Sequence, residues 1–133
     1  KSLVETRILL ELKIVSMAAL RRTEKDLAAM KYALESYRDK VLNNEDAVEE
    51  DLLFHLAIAK ASKNSSMNTF MLIITPEIIT NFEKYHVCDS NQSKLGIEEH
   101  ENIFEAIKNQ DPIKAREKMK VHFSVLYQYC DEN

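Results

Sequence analysis

The sequence predicts an all-α fold, an antiparallel bundle of six or seven helices with one helix kinked near Pro76. Three observations lead there. One glycine and two prolines among 133 residues leave too few turn formers for a many-stranded sheet. Apolar residues recur at three- and four-residue intervals through most of the chain, the spacing of one helix face. Residues that favour helix starts fall just before these stretches.

The length suits one domain over residues 1–133, and a 45% hydrophobic content is enough for a sizeable core. The net charge of −4 comes from 18 basic and 22 acidic residues scattered along the chain, which excludes a basic face for nucleic acid. No apolar run approaches membrane-spanning length and no signal peptide is visible, so a cytoplasmic protein without membrane contact is expected. Cys88 and Cys130, far apart and without a CxxC pattern, fit reduced thiols in that compartment. The chain opens on Lys1 rather than Met and is expected to be part of something longer.

The first helix is expected over 3–19, where Leu3, Arg7, Leu10, Ile14, Met17 and Ala18 form one series. Arg7 lies inside that series. Its guanidinium points inward, or else it snorkels to the surface or pairs with Glu11 one turn on. Thr23 with Asp26 three residues later reads as a capping box. The helix it starts carries Leu27, Met30, Leu34, Tyr37 and Val41 as a core stripe. Asn43 and Asn44 end it, and Asn44 is expected to cap a third helix over 45–62 with Glu45 and Asp46 in its first turn.

That third helix holds Asp51 and His55 four residues apart, on the same face as Val48, Leu52, Leu56, Ile58 and Ala59. On this helix alone, a buried Asp–His hydrogen bond and a metal ligand pair are equally good readings. Lys63-Asn64-Ser65 breaks the helix and a fourth begins near Ser66. The run Phe70-Met71-Leu72-Ile73-Ile74 reads as buried helix, a strand being the alternative, kinked by Pro76 and resuming through Ile78, Ile79, Phe82 and Tyr85. His86 is expected near the helix end, beside the last carbonyls.

Residues 89–93 are the most polar linker and are expected to form a mobile loop. A fifth helix ending near Asn109 has Ile97, His100, Phe104 and Ile107 on its apolar face. Asp111-Pro112, a capping Asp before a first-turn Pro, starts a sixth with Ala115, Met119, His122, Leu126 and Tyr129 on one side.

Asp51, His55, His100 and His122 are thus polar groups on the apolar faces of three helices that must pack together. Imidazole nitrogens and a carboxylate oxygen suit a divalent ion, Zn²⁺, Ni²⁺, Mn²⁺ or Fe²⁺, with room left for water or a ligand oxygen. Two readings of such a set come from other classes than ligand sensing or regulation: a helical-bundle metalloenzyme using the three-His, one-Asp site, and a metal-free helical dimerisation module. Against the enzyme, HExxH is absent and only Glu83-Lys84-Tyr85-His86 fits the Glu-x-x-His of di-iron bundles.

Asp51-x-x-x-His55 followed by Ala57-Ile58-Ala59-Lys60-Ala61-Ser62-Lys63-Asn64 resembles the "D-x-x-F-H … A-S-x-N" pattern of the FCD domain, the ligand-binding domain of FadR-type regulators in the GntR family. Glu99-His100-Glu101-Asn102-Ile103 through Ile107 is similar to its "E-H-x-x-I-x-x-A-I" helix. Asp111-Pro112 through His122-Phe123 is similar to its closing helix, and Arg7-Ile8-Leu9-Leu10-Glu11 to the "R-x-x-L-E" of its first. The resemblance implies a metal held by the Asp and three His, beside a cavity for a small carboxylate effector. It places Arg7 and Asn64 among the effector-binding candidates. It also implies a homodimer, no enzymatic activity, and DNA binding only through an N-terminal winged helix-turn-helix domain that is missing from this stretch. One departure is that 70–87 contains no Arg, whereas several relatives carry arginines there.

Overall fold

A computed structural model of the chain describes residues 2–85 and 94–127. It is an antiparallel helical bundle of α1 (Ser2–Arg21), α2 (Glu24–Leu42), α3 (Val48–Ala61), α4 (Ser65–Tyr85), α5 (Lys94–Lys108) and α6 (Pro112–Tyr127). No strand occurs among the described residues, so the strand alternative for 70–74 is gone. His86, Cys88, the loop over 89–93, Tyr129 and Cys130 lie outside the described residues.

The bundle is built around α1, which packs against α3, α4, α5 and α6. A helix covered on so many sides must bury more than one stripe. Arg7, Glu11, Ile14 and Ala18 are all buried, and so are Leu12, Val15 and Ala19. α2 and α3 pack on each other, α5 bridges α2 and α6, and α4 lies at the edge against α1 and α3.

The helix ends follow local chemistry. Thr23 and Asp26 form the expected capping box at α2, each side chain accepting the other's backbone N–H. Asp111 Oδ1 accepts the N–H of Lys114 at 3.0 Å and so caps α6. Asn44, Lys63 and Gln110, just past the ends of α2, α3 and α5, have φ of 57°, 57° and 54°. These left-handed positions usually fall to glycine, and this chain fills them without it.

Two expectations about the helices need correction. α3 starts at Val48 rather than near Glu45, and Asn44 does not cap it. Asn44 is spent turning the chain at the end of α2, and Asp46 Oδ1 takes the Val48 N–H at 3.1 Å instead. The dipole-compensating acids of the first turn are therefore Glu49, Glu50 and Asp51. The apolar run of α4 is also largely not buried: Met71 is, but Phe70, Leu72 and Ile73 are more than half exposed. An edge helix touching two neighbours has only one face to bury, whatever its composition. The helix runs unbroken through Pro76, and Thr75 Oγ1 donates to the Met71 carbonyl at 2.6 Å.

Candidate metal centre

Asp51 and His55 reach the interior from α3, His100 from α5 and His122 from α6, and all four are buried. One ligand atom from each lies within 4.8 Å of the others. Donors of a tetrahedral Zn²⁺ ion are about 3.3 Å apart, so the set must draw in by up to about 1.5 Å to close on one ion.

The histidines are oriented from behind. His55 Nδ1 donates to Glu11 Oε1, His100 Nδ1 to the Gly96 carbonyl at 2.6 Å, and His122 Nδ1 to Glu99 Oε1 at 2.8 Å. Each acceptor anchors Nδ1 and leaves Nε2 as the ring nitrogen that can take a metal once it carries no proton, the arrangement metal-binding histidines require. His55 Nε2 and His122 Nε2 are buried without a hydrogen-bond partner, and His55 Nε2 lies 3.3 Å from Asp51 Oδ1. His100 Nε2 lies 2.6 Å from the same oxygen. The Gly96 carbonyl can only accept, so the proton of neutral His100 is on Nδ1 and two electron-rich atoms face each other there. A cation between them, proton or metal, is what that contact calls for.

The charges around the site point the same way. Three buried carboxylates, Glu11, Asp51 and Glu99, surround the histidines against the one guanidinium of Arg7. Burial opposes ionisation of Asp51, but His100 and His55 outweigh it and hold the carboxyl well below its usual range. His55 is pushed up to about 9, its burial overcome by Glu11 and Asp51, so without a metal it holds the proton that a bound ion would displace. Burial, then the neighbouring His100 and His55, drives His122 well below the usual histidine range, so it stays neutral and able to ligate. Glu99 is pushed up to about 7 by burial and by Glu98.

Arg7 is fully buried, so the surface reading is wrong while the pairing with Glu11 is right. Its Nε donates to Glu11 Oε2 at 2.5 Å and its Nη1 to the Tyr127 hydroxyl at 2.5 Å. The Phe123 ring lies 5.0 Å from the guanidinium carbon and the Phe82 ring 5.6 Å. Nη2 has no partner. Asn64 serves the backbone beside it. It sits at the start of α4, where its Oδ1 accepts the Met67 N–H at 3.1 Å.

Sequence reasoning missed Glu99 and Tyr127, and missed that Glu11 is interior. Glu11 was detectable through its i+4 spacing from Arg7. Glu99 and Tyr127 act across helices, on His122 and Arg7, and nothing along the chain marks those pairings.

Fold and site together define an all-helical domain with an interior three-histidine, one-aspartate donor set and a partly unsatisfied arginine beside it. Residues 2–125 match the FCD domain, and the chain belongs to that family, which is found in GntR-type transcriptional regulators. It is 30% identical to the HTH-type transcriptional regulator LutR of Bacillus subtilis (strain 168) over 141 residues, all of this chain and 64% of that protein. It is also 30% identical to the galactonate operon transcriptional repressor of Escherichia coli (strain K12) over 110 residues, 80% of this chain and 47% of that protein. A solved structure titled Streptococcus agalactiae GntR superposes with a TM-score of 0.80 at 26% identity, over 94% of this chain and 56% of that one. The chain thus spans less than two thirds of each of these proteins.

Proposed function

We propose that this chain is the metal-containing, organic-acid-sensing and dimerisation domain of a cytoplasmic bacterial transcriptional regulator, and not an enzyme. The observation that carries the reading is the set of buried Nε2 atoms turned towards Asp51, each with its Nδ1 anchored, next to an arginine with an unpartnered Nη2. Asp51, His55, His100 and His122 would hold one divalent ion, of the Zn, Ni, Mn or Fe type. When bound, it would offer Lewis acidity to an oxygen ligand. The chain's own part is to fix the donors, exclude water around them and present Arg7.

The effector in this reading is a small carboxylate. A planar guanidinium with one free N–H edge suits a carboxylate oxygen, and the surrounding aromatic rings lower the local dielectric. A relative named for a galactonate operon is consistent with an acid. Asn64, whose Oδ1 caps α4, would offer its amide N–H groups to a carboxylate. DNA contact would come from a winged helix-turn-helix domain in the full-length protein, as the net charge of −4 on this chain does not favour a polyanion. No helix among the described residues is long and apolar enough to cross a membrane.

Calorimetric titration of metal-loaded protein with a panel of small mono- and dicarboxylates tests the proposal. At least one should bind with micromolar affinity, and its uncharged amide analogue should not. A panel that gives no heat with metal-loaded protein, or amides that bind as well as acids, would overturn it.

A further inference from the structure

Arg7 is anchored from two sides, and its second anchor carries a donor of its own. Nη1 donates to the Tyr127 hydroxyl oxygen at 2.5 Å. A phenol has one O–H and two lone pairs, so an oxygen that accepts from a guanidinium still has its proton to give. That proton meets no acceptor among the described residues. Tyr127 is buried, so water does not readily supply one. A buried hydroxyl proton in this state is as unusual as the unpartnered Nη2 of Arg7, and the two belong to one hydrogen-bonded pair.

These two open donors constrain what can sit against them. Whatever fills the site must accept twice and bring no hydrogen of its own. A carboxylate does so, with two oxygens and no donor, whereas a primary amide turns an NH₂ towards one of the two. The bonds behind the pair favour the same ligand. Glu11 accepts from Nε of Arg7 and Tyr127 from Nη1, and a phenol oxygen that accepts from a cation becomes a stronger donor. Burial holds the Tyr127 phenol above its ordinary pKa, against the pull of Arg7, so its proton is in place at neutral pH. The Phe123 ring lies 5.9 Å from the Tyr127 ring and 5.0 Å from the guanidinium carbon, and it offers no lone pair to compete. α6 carries both His122 and Tyr127, so one helix presents a candidate ligand of the ion and this second donor.

We propose that Tyr127 contacts the effector directly, its O–H and the Nη2–H of Arg7 together holding the effector's carboxylate. The inference rests on the carboxylate-sensing reading and deepens it by naming a second specificity-determining residue. A ligand group unable to accept from both leaves a buried donor unpaired, and such sites reject the poorer match strongly.

Calorimetric and absorbance titrations of metal-loaded protein with mono- and dicarboxylates, acetate and glycolate among them, test the contact. Tyr127→Phe keeps the ring and removes the O–H. It should weaken acid binding by roughly tenfold or more, with zinc affinity, read by competition with a chelator, unchanged. The chain has five tyrosines and no tryptophan, so its phenol absorption is readable. A phenol that donates to an anion absorbs further to the red. Saturating acid should therefore give a red-shifted difference band in the unaltered protein, and Tyr127→Phe at saturation should lack it. A tyrosine that only props Arg7 would not produce that band. Equal acid affinity in Tyr127→Phe, no band in the unaltered protein, or a band that survives the substitution would overturn the contact and leave the carboxylate reading in place. A metal-loaded protein that binds none of the acids would overturn that reading, and this contact with it.

Discussion

The carboxylate of Glu11 on α1 accepts the Nδ1–H of His55 on α3, 44 residues away, while its other oxygen accepts from Arg7. One acidic group thus orients a candidate metal ligand and a candidate effector contact together. Burial opposes its charge, but His55 and Arg7 keep its pKa below the ordinary range. Glu11→Gln keeps the shape but has only one carbonyl oxygen for two donors, so one of the links must break. Metal affinity should fall about 10- to 100-fold, as for other supporting acceptors of ligating histidines. Affinity measured by competition with a chromogenic chelator checks this, and unchanged affinity would remove Glu11 from the site.

Arg7 is difficult to delete cleanly. Arg7→Ala would leave Glu11 buried without its guanidinium, which costs about 3–5 kcal/mol. Arg7→Lys keeps the charge and loses the planar fork. It should retain metal and lose carboxylate binding by tenfold or more, read by calorimetry. Equal acid affinity in Arg7→Lys would return Arg7 to a structural role.

Away from the site, Asp26 offers a pH test. Its carboxylate receives Lys63 Nζ at 2.5 Å and the Thr23 N–H at 2.9 Å. Burial raises its pKa, but these partners outweigh burial and the net shift is downward. A folded-state pKa below the unfolded one means the stabilisation is fully present above the unfolded value, about 3.9, and is lost as pH falls through the folded value. Asp26→Asn removes the charge facing the half-exposed Lys63 and should cost about 0.5–1 kcal/mol at pH 7. Urea unfolding across pH should show the two proteins converging as Asp26 protonates in the native protein.

Gln110 sits at φ 54° between α5 and α6. A side chain there is strained, and glycine is not. Gln110→Gly should stabilise the fold by about 0.5–1 kcal/mol in thermal or urea unfolding, and a destabilised variant would show that the 3.5 Å contact of its amide with the Leu20 carbonyl matters more.

The placement of α1 suggests how binding would be transmitted. Through Arg7 and Glu11 this helix touches both halves of the site, and it packs on four other helices. An effector bound at Arg7 and the ion should alter hydrogen exchange across Ser2–Arg21. Changes confined to α3, α5 and α6 would place the output elsewhere.

Much of this was legible in the sequence. The four candidate ligands stand out because each is a polar group in an apolar helical stripe, and such a pattern survives any arrangement of the helices. The capping box at Thr23 and the Asp111-Pro112 start are equally local and appear where expected. Properties that depend on what a helix packs against were not legible. Phe70, Leu72 and Ile73 read as core because they are apolar, and only the edge position of α4 shows that they face water. Arg7 was ambiguous for the same reason. Its fate depends on Tyr127, 120 residues away. The late start of α3 depends on Asn44 adopting a left-handed turn, which its sequence permits but does not require.

The central claim is that the four buried side chains hold a metal. Elemental analysis of protein purified without chelator, joined to melting curves with and without EDTA, addresses it directly. One divalent ion per chain is expected, with a melting temperature that falls on chelation and recovers with Zn²⁺ or Ni²⁺. At free ion a thousandfold above its dissociation constant, mass action alone stabilises the fold by about 4 kcal/mol. Protein without metal, whose melting curve neither Zn²⁺ nor Ni²⁺ moves, would show that Asp51, His55, His100 and His122 are a hydrogen-bonded core and contradict the account.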